Sequence, residues 1–159
     1  MYFVAVEAMK DGCTIDFVVG ARGREHLLYL KEIHKLPRTK LHVATNDGSL
    51  GHKGHNTEVL EEILSKLTAD RLPLITVFAC GPELMLKRVS ELCARNKVHC
   101  AMSLERYMKC GYGICGNCVV DPLGIRLCCE GPVVKNDVCV KVTDFGKYHR
   151  DSLGKKHSF

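Results

Sequence analysis

The chain has 159 residues, of which 46% are hydrophobic and 26% are charged, and its formal net charge is +5. This composition is typical of a globular protein and excludes a disordered chain, and no apolar run approaches the roughly 18 residues that span a bilayer. The opening segment MYFVAVEAMKDG contains Glu7 and no basic leader, so we expect a cytoplasmic protein without a signal peptide or a membrane partner.

Helices and strands alternate from the beginning of the chain. A helix is predicted over 2–10, and the β-branched run 14–21 is typical of a strand buried on both faces. Residues 24–36 are predicted to be a second helix and 41–45 a second strand, which a turn of asparagine, aspartate and glycine ends.

The next part of the chain repeats this alternation. Residues 57–67 carry hydrophobic side chains at the i, i+3 and i+4 spacing of an amphipathic helix, and 74–80 is predicted to be a strand. Gly81 and Pro82 then open another helix, since proline is favoured at the first helical position. A fourth strand is predicted over 98–102.

Strands that are separated by helices of this length indicate right-handed βαβ crossovers and a parallel sheet. We therefore predict an α/β domain over 1–103. This segment opens on a helix and contains no G-x-G-x-x-G element, whereas doubly wound domains begin with a strand and a phosphate-binding loop. We expect the first βα unit of such a domain to be missing.

The composition of the sequence changes over 104–143, which contains six of the ten cysteines. The segment 119–127 has two short apolar runs around an Asp-Pro-Leu-Gly turn, which predicts a β-hairpin. Because no export signal accompanies these cysteines, they indicate metal or redox chemistry in a reducing compartment rather than a disulfide framework. This segment is predicted to be a second, small module.

The positive charge gathers in the last residues of the chain, 144–159, which we expect to be a solvated and frayed basic tail. Such a tail is also able to bind nucleic acid or an acidic surface. We expect no nucleic-acid partner, because no motif of a nucleic-acid-binding fold accompanies the charge.

Three cysteines, Cys110, Cys115 and Cys118, have the spacing C-x4-C-x2-C, and Cys128 is a fourth candidate across the hairpin. This spacing is that of plant-type [2Fe–2S] proteins. The glycines between the ligands tolerate the positive φ that a loop needs to curl around a cluster. Structural zinc is the alternative, although zinc sites usually present two C-x2-C pairs and only one occurs here. Cys129 is a rival to Cys128, but neighbours on a strand point to opposite faces.

The run CGYGICGNC, followed by CCEGPV, resembles the electron-transfer subunits of class 1B dihydroorotate dehydrogenase, which belong to the ferredoxin–NADP reductase superfamily. The segments HVATNDGSLGHKG and FACGPELM resemble the pyridine-nucleotide domain of the same family, so the resemblance covers nearly all of 1–142. In that family two residues separate the fourth ligand from Gly-Pro-Val, which assigns it to Cys128. The implied fold is a parallel-sheet nucleotide-binding α/β domain of ferredoxin–NADP reductase type, followed by a small β-rich [2Fe–2S] module.

The resemblance implies an electron path in pyrimidine biosynthesis. Dihydroorotate reduces FMN in a separate catalytic subunit, and electrons then cross the [2Fe–2S] cluster to FAD and leave to NAD⁺. The chain is thus expected to act in a hetero-oligomer and to contribute no catalytic residue of its own. The family's flavin-binding β-barrel has no room in 159 residues, so we expect a fragment or a short subunit, and we do not expect FAD to bind to this chain alone.

The resemblance also indicates residues that would bind the nucleotide, at the carboxyl ends of predicted strands where parallel-sheet proteins bind ligands. They are Arg22, Thr45, Asp47, Gly48, Cys80, Gly81 and Pro82. Arg22 would pair with a phosphate, and the Cys-Gly-Pro turn would lie near the nicotinamide. Each of these assignments has an alternative interpretation. Arg22 would be an ordinary surface arginine, the loop from Thr45 to Gly48 a polar loop with turn and capping bonds, and Cys80 a buried cysteine in a tight turn.

Two other functions are open at the level of sequence. One is the small subunit of another NAD(P)-linked iron–sulfur flavoprotein, such as ferredoxin:NADP oxidoreductase or sulfide dehydrogenase, which has the same modules. The Cys-x-Glu-Gly-Pro-Val run favours the dihydroorotate family over this alternative. A zinc-stabilised interaction domain is the alternative of another class. Iron with acid-labile sulfide would separate the first two functions from the third.

Overall fold

A computed structural model of the chain describes residues 1–68 and 70–159. The chain divides into two compact units, Met1–Leu67 and Thr68–Phe159. Both units contain helices and parallel strand pairs, which confirms the predicted α/β class. The predicted functional division at 103 and 143 is not tested by these units and stays a prediction. Across the two described ranges, every helix is too short or too polar to traverse a lipid bilayer.

The first unit is a three-stranded parallel sheet with the strand order β1-β2-β3. The strands and helices of this unit are α1 Tyr2–Lys10, β1 Ile15–Ala21, α2 Leu30–His34, β2 Thr39–Thr45, β3 His52–Lys53 and α3 Asn56–Ser65. Ala21 lies beside Thr45 in the register of β1 and β2. The carboxyl ends of these two strands therefore meet at one edge of the sheet.

The prediction of one helix over 24–36 is wrong. The structure has a 3₁₀ turn at Arg24–His26, and α2 begins only at Leu30. Between them, Tyr29 has a φ of +59°, in the left-handed region that non-glycine residues seldom adopt. This residue interrupts the helical path, so Ile33 in α2, which is 2% exposed, is left to anchor a single short helix.

The second unit contains a three-stranded sheet and two separate hairpins. Its strands and helices are β4 Thr76–Cys80, α4 Glu83–Arg95, β5 His99–Ser103, β6 Val119–Val120, β7 Ile125–Arg126, β8 Val133–Lys135, α5 Asn136–Cys139, β9 Tyr148–Arg150 and β10 Lys156–Ser158. Strand β5 pairs with β4 in parallel and with β8 in antiparallel orientation. Because β8 follows the cysteine-rich segment, the cysteine module and the preceding strands share one sheet.

The helix α4 buries one face because Leu86, Val89, Leu92 and Cys93 recur at helical spacing. This face contacts β4 and β5. Pro82 precedes the helix as its N-cap, with extended backbone angles of φ −54° and ψ 139°. The expectation that proline occupies the first helical position is therefore wrong by one residue.

The predicted hairpin in the cysteine-rich segment is confirmed as β6 and β7, which pair antiparallel. Val120 and Leu127, at its two ends, are both 0% exposed. Burial of a leucine side chain contributes roughly 2 kcal/mol, so these two buried side chains stabilise the hairpin as part of the second unit.

The expectation of a frayed terminus over 144–159 is also wrong. Strands β9 and β10 form an antiparallel hairpin. The Asp151 carboxylate organises this turn. It accepts hydrogen bonds from the backbone N–H groups of Leu153 and Lys155 at 2.9 and 3.0 Å, and it is hydrogen-bonded to His157 Nε2 at 2.7 Å. These local bonds give the basic segment an ordered structure.

Strands β1 and β4 are edge strands of their sheets. Within the described residues, β1 pairs only with β2, and β4 pairs only with β5. The parallel strand pairing predicted across 1–103 is present in each unit, as β1-β2-β3 in the first and β4-β5 in the second. Phe78 on β4 is 49% exposed, which is high for an aromatic side chain of a strand.

Candidate metal centre

The loop that carries the first three candidate ligands is shaped by glycine. Gly111, Gly113 and Gly116 have φ values of +78°, +83° and +70°, which glycine adopts without steric penalty. The resulting curl turns the backbone N–H of Cys115 toward Cys110, whose Sγ lies 3.5 Å from that nitrogen. The loop therefore surrounds the Cys110 sulfur with backbone donors.

These donors change the acidity of the first thiol. Hydrogen bonds from the backbone of Cys115, Tyr112 and Ile114 lower the pKa of Cys110 to about 6, because they stabilise the thiolate relative to the thiol. The thiolate is the form that binds a metal. The loop is thus built for a negatively charged sulfur, which is an observation in favour of a metal or cluster ligand.

Cys118 and Cys128 form a second pair. Cys118 is 3% exposed, and burial raises the pKa of its thiol while the backbone N–H of Cys128 lowers it. The backbone N–H of Leu127 also donates to the carbonyl oxygen of Cys118 at 3.3 Å. Since Val120 follows Cys118 closely and Leu127 immediately precedes Cys128, the buried ends of the hairpin position both thiols.

The four predicted ligands thus lie as two pairs rather than as one cluster of four. Among the described residues, no three His, Cys, Asp or Glu side chains converge as ligands of a single ion. A [2Fe–2S] cluster has two irons, and four cysteines supply two thiolates to each. Both the donor set and its pairing fit such a cluster, while the convergence of all four thiols on one group stays a prediction.

Cys128 lies in a turn after β7, and not on a strand as predicted. The N–H groups of Cys129 and Glu130 close this turn on the Arg126 carbonyl, at 2.9 and 2.8 Å. The sulfurs of Cys128 and Cys129 are 3.8 Å apart, so the expectation that they face opposite sides is wrong. Cys129 lies against Gly113, where an added Cβ would be 2.8 Å from its sulfur. The choice of Cys128 as the ligand stays a prediction.

Arg126 connects this turn to the ligand loop, and sequence reasoning missed it. Its guanidinium pairs with the Glu130 carboxylate and donates to the Gly113 carbonyl at 3.3 Å. The hydrogen bond from Arg126 lowers the pKa of Glu130. The signal in the sequence was an arginine and a glutamate four residues apart on either side of the paired cysteines.

A buried ion-pair network in the second unit includes an arginine that shortly precedes the ligand loop in the chain. Arg106, four residues before Cys110, pairs with Glu83 at the start of α4 and with Asp144 near the chain's end, the latter at 3.3 Å. Glu83 also accepts the backbone N–H of Gly146 at 2.7 Å. The sequence held no signal for this network, because its members are far apart in the chain.

Four of the seven candidate nucleotide-binding residues lie together in the first unit, at the carboxyl ends of β1 and β2. The backbone N–H of Asp47 donates to the Arg22 carbonyl at 3.2 Å, and Arg22 lines a cavity of about 410 Å³. Thr45 is fully buried, and its hydroxyl exchanges hydrogen bonds with the backbone of Leu50 at 2.8 and 3.1 Å. Thr45 therefore shapes the turn, and Gly48 in that turn has a φ of +77°.

The Asp47 carboxylate is the ionised group at this edge. It accepts the hydroxyl and the backbone N–H of Ser49, at 2.6 and 2.9 Å. These bonds lower the pKa of Asp47 below its ordinary value. A carboxylate that is exposed and ionised at the end of a parallel strand suits a ribose hydroxyl.

The other three candidates, Cys80, Gly81 and Pro82, lie in the second unit between β4 and α4. Gly81 has a φ of +153°, and an added Cβ would lie 2.9 Å from Met85 Cε, so this position needs glycine. Cys80 is an exposed thiol. The turn thus presents a small, open backbone segment at the carboxyl end of β4.

Residues 105–140 match a family model described as the iron–sulfur cluster binding domain of dihydroorotate dehydrogenase B. The chain is 43% identical over 150 residues to a Methanocaldococcus jannaschii protein, a probable electron transfer subunit of dihydroorotate dehydrogenase B (NAD(+)). A Methanopyrus kandleri protein of the same description is 41% identical over 138 residues. These alignments cover 94% and 87% of this chain but 56% and 50% of the relatives, so the chain spans about half of their length.

A solved structure of an NADH-dependent reduced ferredoxin-NADP oxidoreductase has a similar fold. It superposes with a TM-score of 0.72 at 28% sequence identity, covering 89% of this chain and 48% of that chain. This similarity confirms the predicted ferredoxin–NADP reductase type of α/β fold.

Proposed function

We propose, because this chain is homologous to electron-transfer subunits of dihydroorotate dehydrogenase B, that it binds a [2Fe–2S] cluster and relays electrons. The ligands in this proposal are Cys110, Cys115, Cys118 and Cys128. The observation that carries the proposal is the pairing of these four thiols inside the segment that matches an iron–sulfur binding family. The segment 104–143 is then the cluster module, and 1–103 the nucleotide-binding part of the chain.

The chain's own residues prepare the site for a negatively charged group. A bound cluster would supply transfer of one electron at a time. The backbone N–H groups that face the Cys110 sulfur offset negative charge on the thiolates. Burial of Cys118 keeps water away from one side of the site.

The electron path in our proposal leads from dihydroorotate, through an FMN-containing catalytic subunit, to FAD and NAD. The support for NAD in this chain is the edge formed by Arg22, Asp47 and Gly48, with a cationic and an anionic side chain at the ends of adjacent strands. The Cys-Gly-Pro turn after β4 is the second proposed contact with the nucleotide. We assign FAD to the assembly and not to residues of this chain.

The partner subunit in this proposal docks over the ligand loop. Tyr112 and Ile114, between the first two ligands, are 68% and 79% exposed, and nearby Tyr107 and Met108 are also exposed. Aromatic residues and methionine are enriched at the cores of protein interfaces. We also propose a cytoplasmic location, because cysteines that serve as thiolate ligands persist in a reducing compartment.

Anaerobic reconstitution with iron and sulfide tests the cluster. We expect visible absorption and about two irons and two sulfides per chain. Cys115→Ser is expected to lose both the colour and the iron, whereas the matched control Cys13→Ser, at an exposed cysteine outside the module, retains them. Zinc without sulfide in the wild-type protein would favour the zinc-stabilised interaction domain instead.

A second function within the same class has a specific observation in its favour, which is the 28% identity to the ferredoxin-NADP oxidoreductase structure. The two functions differ in the partner that delivers electrons. Co-purification with a dihydroorotate-oxidising FMN protein is expected from our proposal. Isolation with a flavoprotein that oxidises ferredoxin or sulfide, and not dihydroorotate, would replace it.

A further inference from the structure

The C-terminal hairpin, β9 and β10, is hydrogen-bonded to the loop that carries the candidate ligands. Asn117 lies between Cys115 and Cys118, and its side-chain amide donates to two backbone carbonyls, of Tyr107 and Asp151, at 3.2 Å each. One acceptor lies just before the ligand loop, and the other belongs to the turn of the hairpin. A single amide group therefore joins the loop to both neighbouring segments.

The hairpin turn holds its carbonyl in place for this contact. The Asp151 carboxylate makes hydrogen bonds of 2.7 to 3.0 Å with two backbone N–H groups of its own turn and with the imidazole ring of His157. His157 in turn stacks on His149 of the opposite strand, with ring centroids 5.8 Å apart. The backbone around Asp151 is thus fixed independently of Asn117, so the acceptor is preorganised.

A second connection reaches the segment that follows Cys118. The Arg150 guanidinium in β9 donates to the Asp121 carboxylate at 3.2 Å. The Asp121 carbonyl also accepts the backbone N–H of Thr143 at 2.8 Å. Since Asp121 comes directly after β6, the hairpin is connected to the chain on both sides of Cys118.

The hairpin also brings positive charge to the module. It and its immediate approach carry the basic residues Lys147, Arg150, Lys155 and Lys156. Four thiolates on a two-iron cluster carry net negative charge, which increases by one on reduction. Of these residues, Arg150 is placed beside Asp121, three residues after Cys118, and a cation in this position favours the more negative state of the cluster.

We propose that the C-terminal hairpin is part of the cluster site, with Asn117 and Arg150 as the residues that position the ligand loop against it. In this role the hairpin slows loss of the cluster and raises its reduction potential. The inference rests on the proposed function, since it requires that a cluster binds. The inference assigns a function to the basic C-terminal segment, which takes no part in the cysteine motif or in the candidate nucleotide site.

Cluster retention in Asn117→Ala and Arg150→Gln tests this inference. Reconstituted protein is mixed with an iron chelator, and bleaching of the visible absorption is followed over time. We expect about tenfold faster bleaching of Asn117→Ala, the change that loss of ordinary hydrogen bonds makes in an opening equilibrium. Asn96→Ala is the matched control, because the Asn96 amide likewise donates to a backbone carbonyl, that of Leu92 at 2.8 Å, but in α4.

The reduction potential and the spectrum of the reduced cluster separate a role at the cluster from a general effect on folding. We expect a more negative potential in Arg150→Gln and an altered electron paramagnetic resonance spectrum in Asn117→Ala, with both properties unchanged in Asn96→Ala. If Asn117→Ala lacks the wild-type circular dichroism, Arg150→Gln alone decides the question.

The outcomes distinguish this inference from the proposed function. A wild-type protein that takes up no iron would end both. A wild-type protein that holds its cluster, with variants that bleach at the wild-type rate and keep its potential, would end only the role of the hairpin.

Discussion

Replacement of Arg106 by methionine tests the buried ion-pair network, and we expect a large loss of stability. The side chains of Arg106, Glu83 and Asp144 are 1%, 7% and 2% exposed, so loss of the cation leaves two carboxylates away from water. Removal of one member of a buried ion pair costs about 3–5 kcal/mol. We take about 4 kcal/mol, which a urea slope of roughly 2 kcal/mol/M converts to a midpoint about 2 M lower.

The assay is urea unfolding followed by far-ultraviolet circular dichroism, because the chain has no tryptophan. Hydrogen exchange at the amides of α4 reports on the second unit alone. Lys66→Met is the control, since it removes an exposed pair with Glu62 whose side chains are 70% and 58% exposed, and we expect no measurable change in midpoint. An Arg106→Met midpoint within about 0.25 M of the wild type would refute the reasoning, because at this slope that shift corresponds to about 0.5 kcal/mol, the range of a surface substitution.

Three further predictions concern the cysteine-rich segment 104–143. Cys128→Ser is expected to abolish the visible absorption of reconstituted protein and Cys129→Ser to retain it, and the opposite result would move the fourth ligand to Cys129. In the metal-free chain, the alkylation rate of Cys110 is expected to rise with pH through a midpoint near its pKa of about 6, since the thiolate is the nucleophile. Peptide mapping of the alkylated chain measures this midpoint. A midpoint at the ordinary thiol value of about 8.5 would contradict the prediction. Gly113→Ala is expected to lower the yield of cluster more than Gly111→Ala. Both glycines have a positive φ, but only a Cβ at Gly113 would meet a sulfur, that of Cys129, at 2.8 Å. Equal iron content in the two variants would count against this contact.

Local patterns predicted much of the fold because they depend on neighbouring residues. Hydrophobic spacing located α4 and its buried Leu92, and β-branched runs located β1 and β4. The Asp-Pro-Leu-Gly turn located the β6–β7 hairpin for the same reason. The spacing of Cys110, Cys115 and Cys118 likewise predicted a curled loop, since the glycines that allow the curl are adjacent to the ligands.

Contacts between distant residues were not predictable in this way. The pairing of Arg106 with Asp144 joins positions 38 residues apart, and no periodic pattern links them. The contact of Asn117 with the Asp151 carbonyl joins positions 34 residues apart, and no local pattern predicts it because the acceptor lies in the C-terminal hairpin. Tyr29 interrupts a helix that periodicity favours, because it has a φ of +59°, a left-handed backbone conformation that hydrophobic spacing does not report.

The unpaired edges of β1 and β4 have a consequence for handling the protein in solution. Each edge presents a row of backbone donors and acceptors without a described ladder partner, and such rows serve as templates for strands of other molecules. The exposed ring of Phe78 on β4 adds apolar surface to one of these rows. Concentrated samples of the isolated chain will therefore form intermolecular sheet and precipitate more readily than samples in which a neighbouring polypeptide covers these edges.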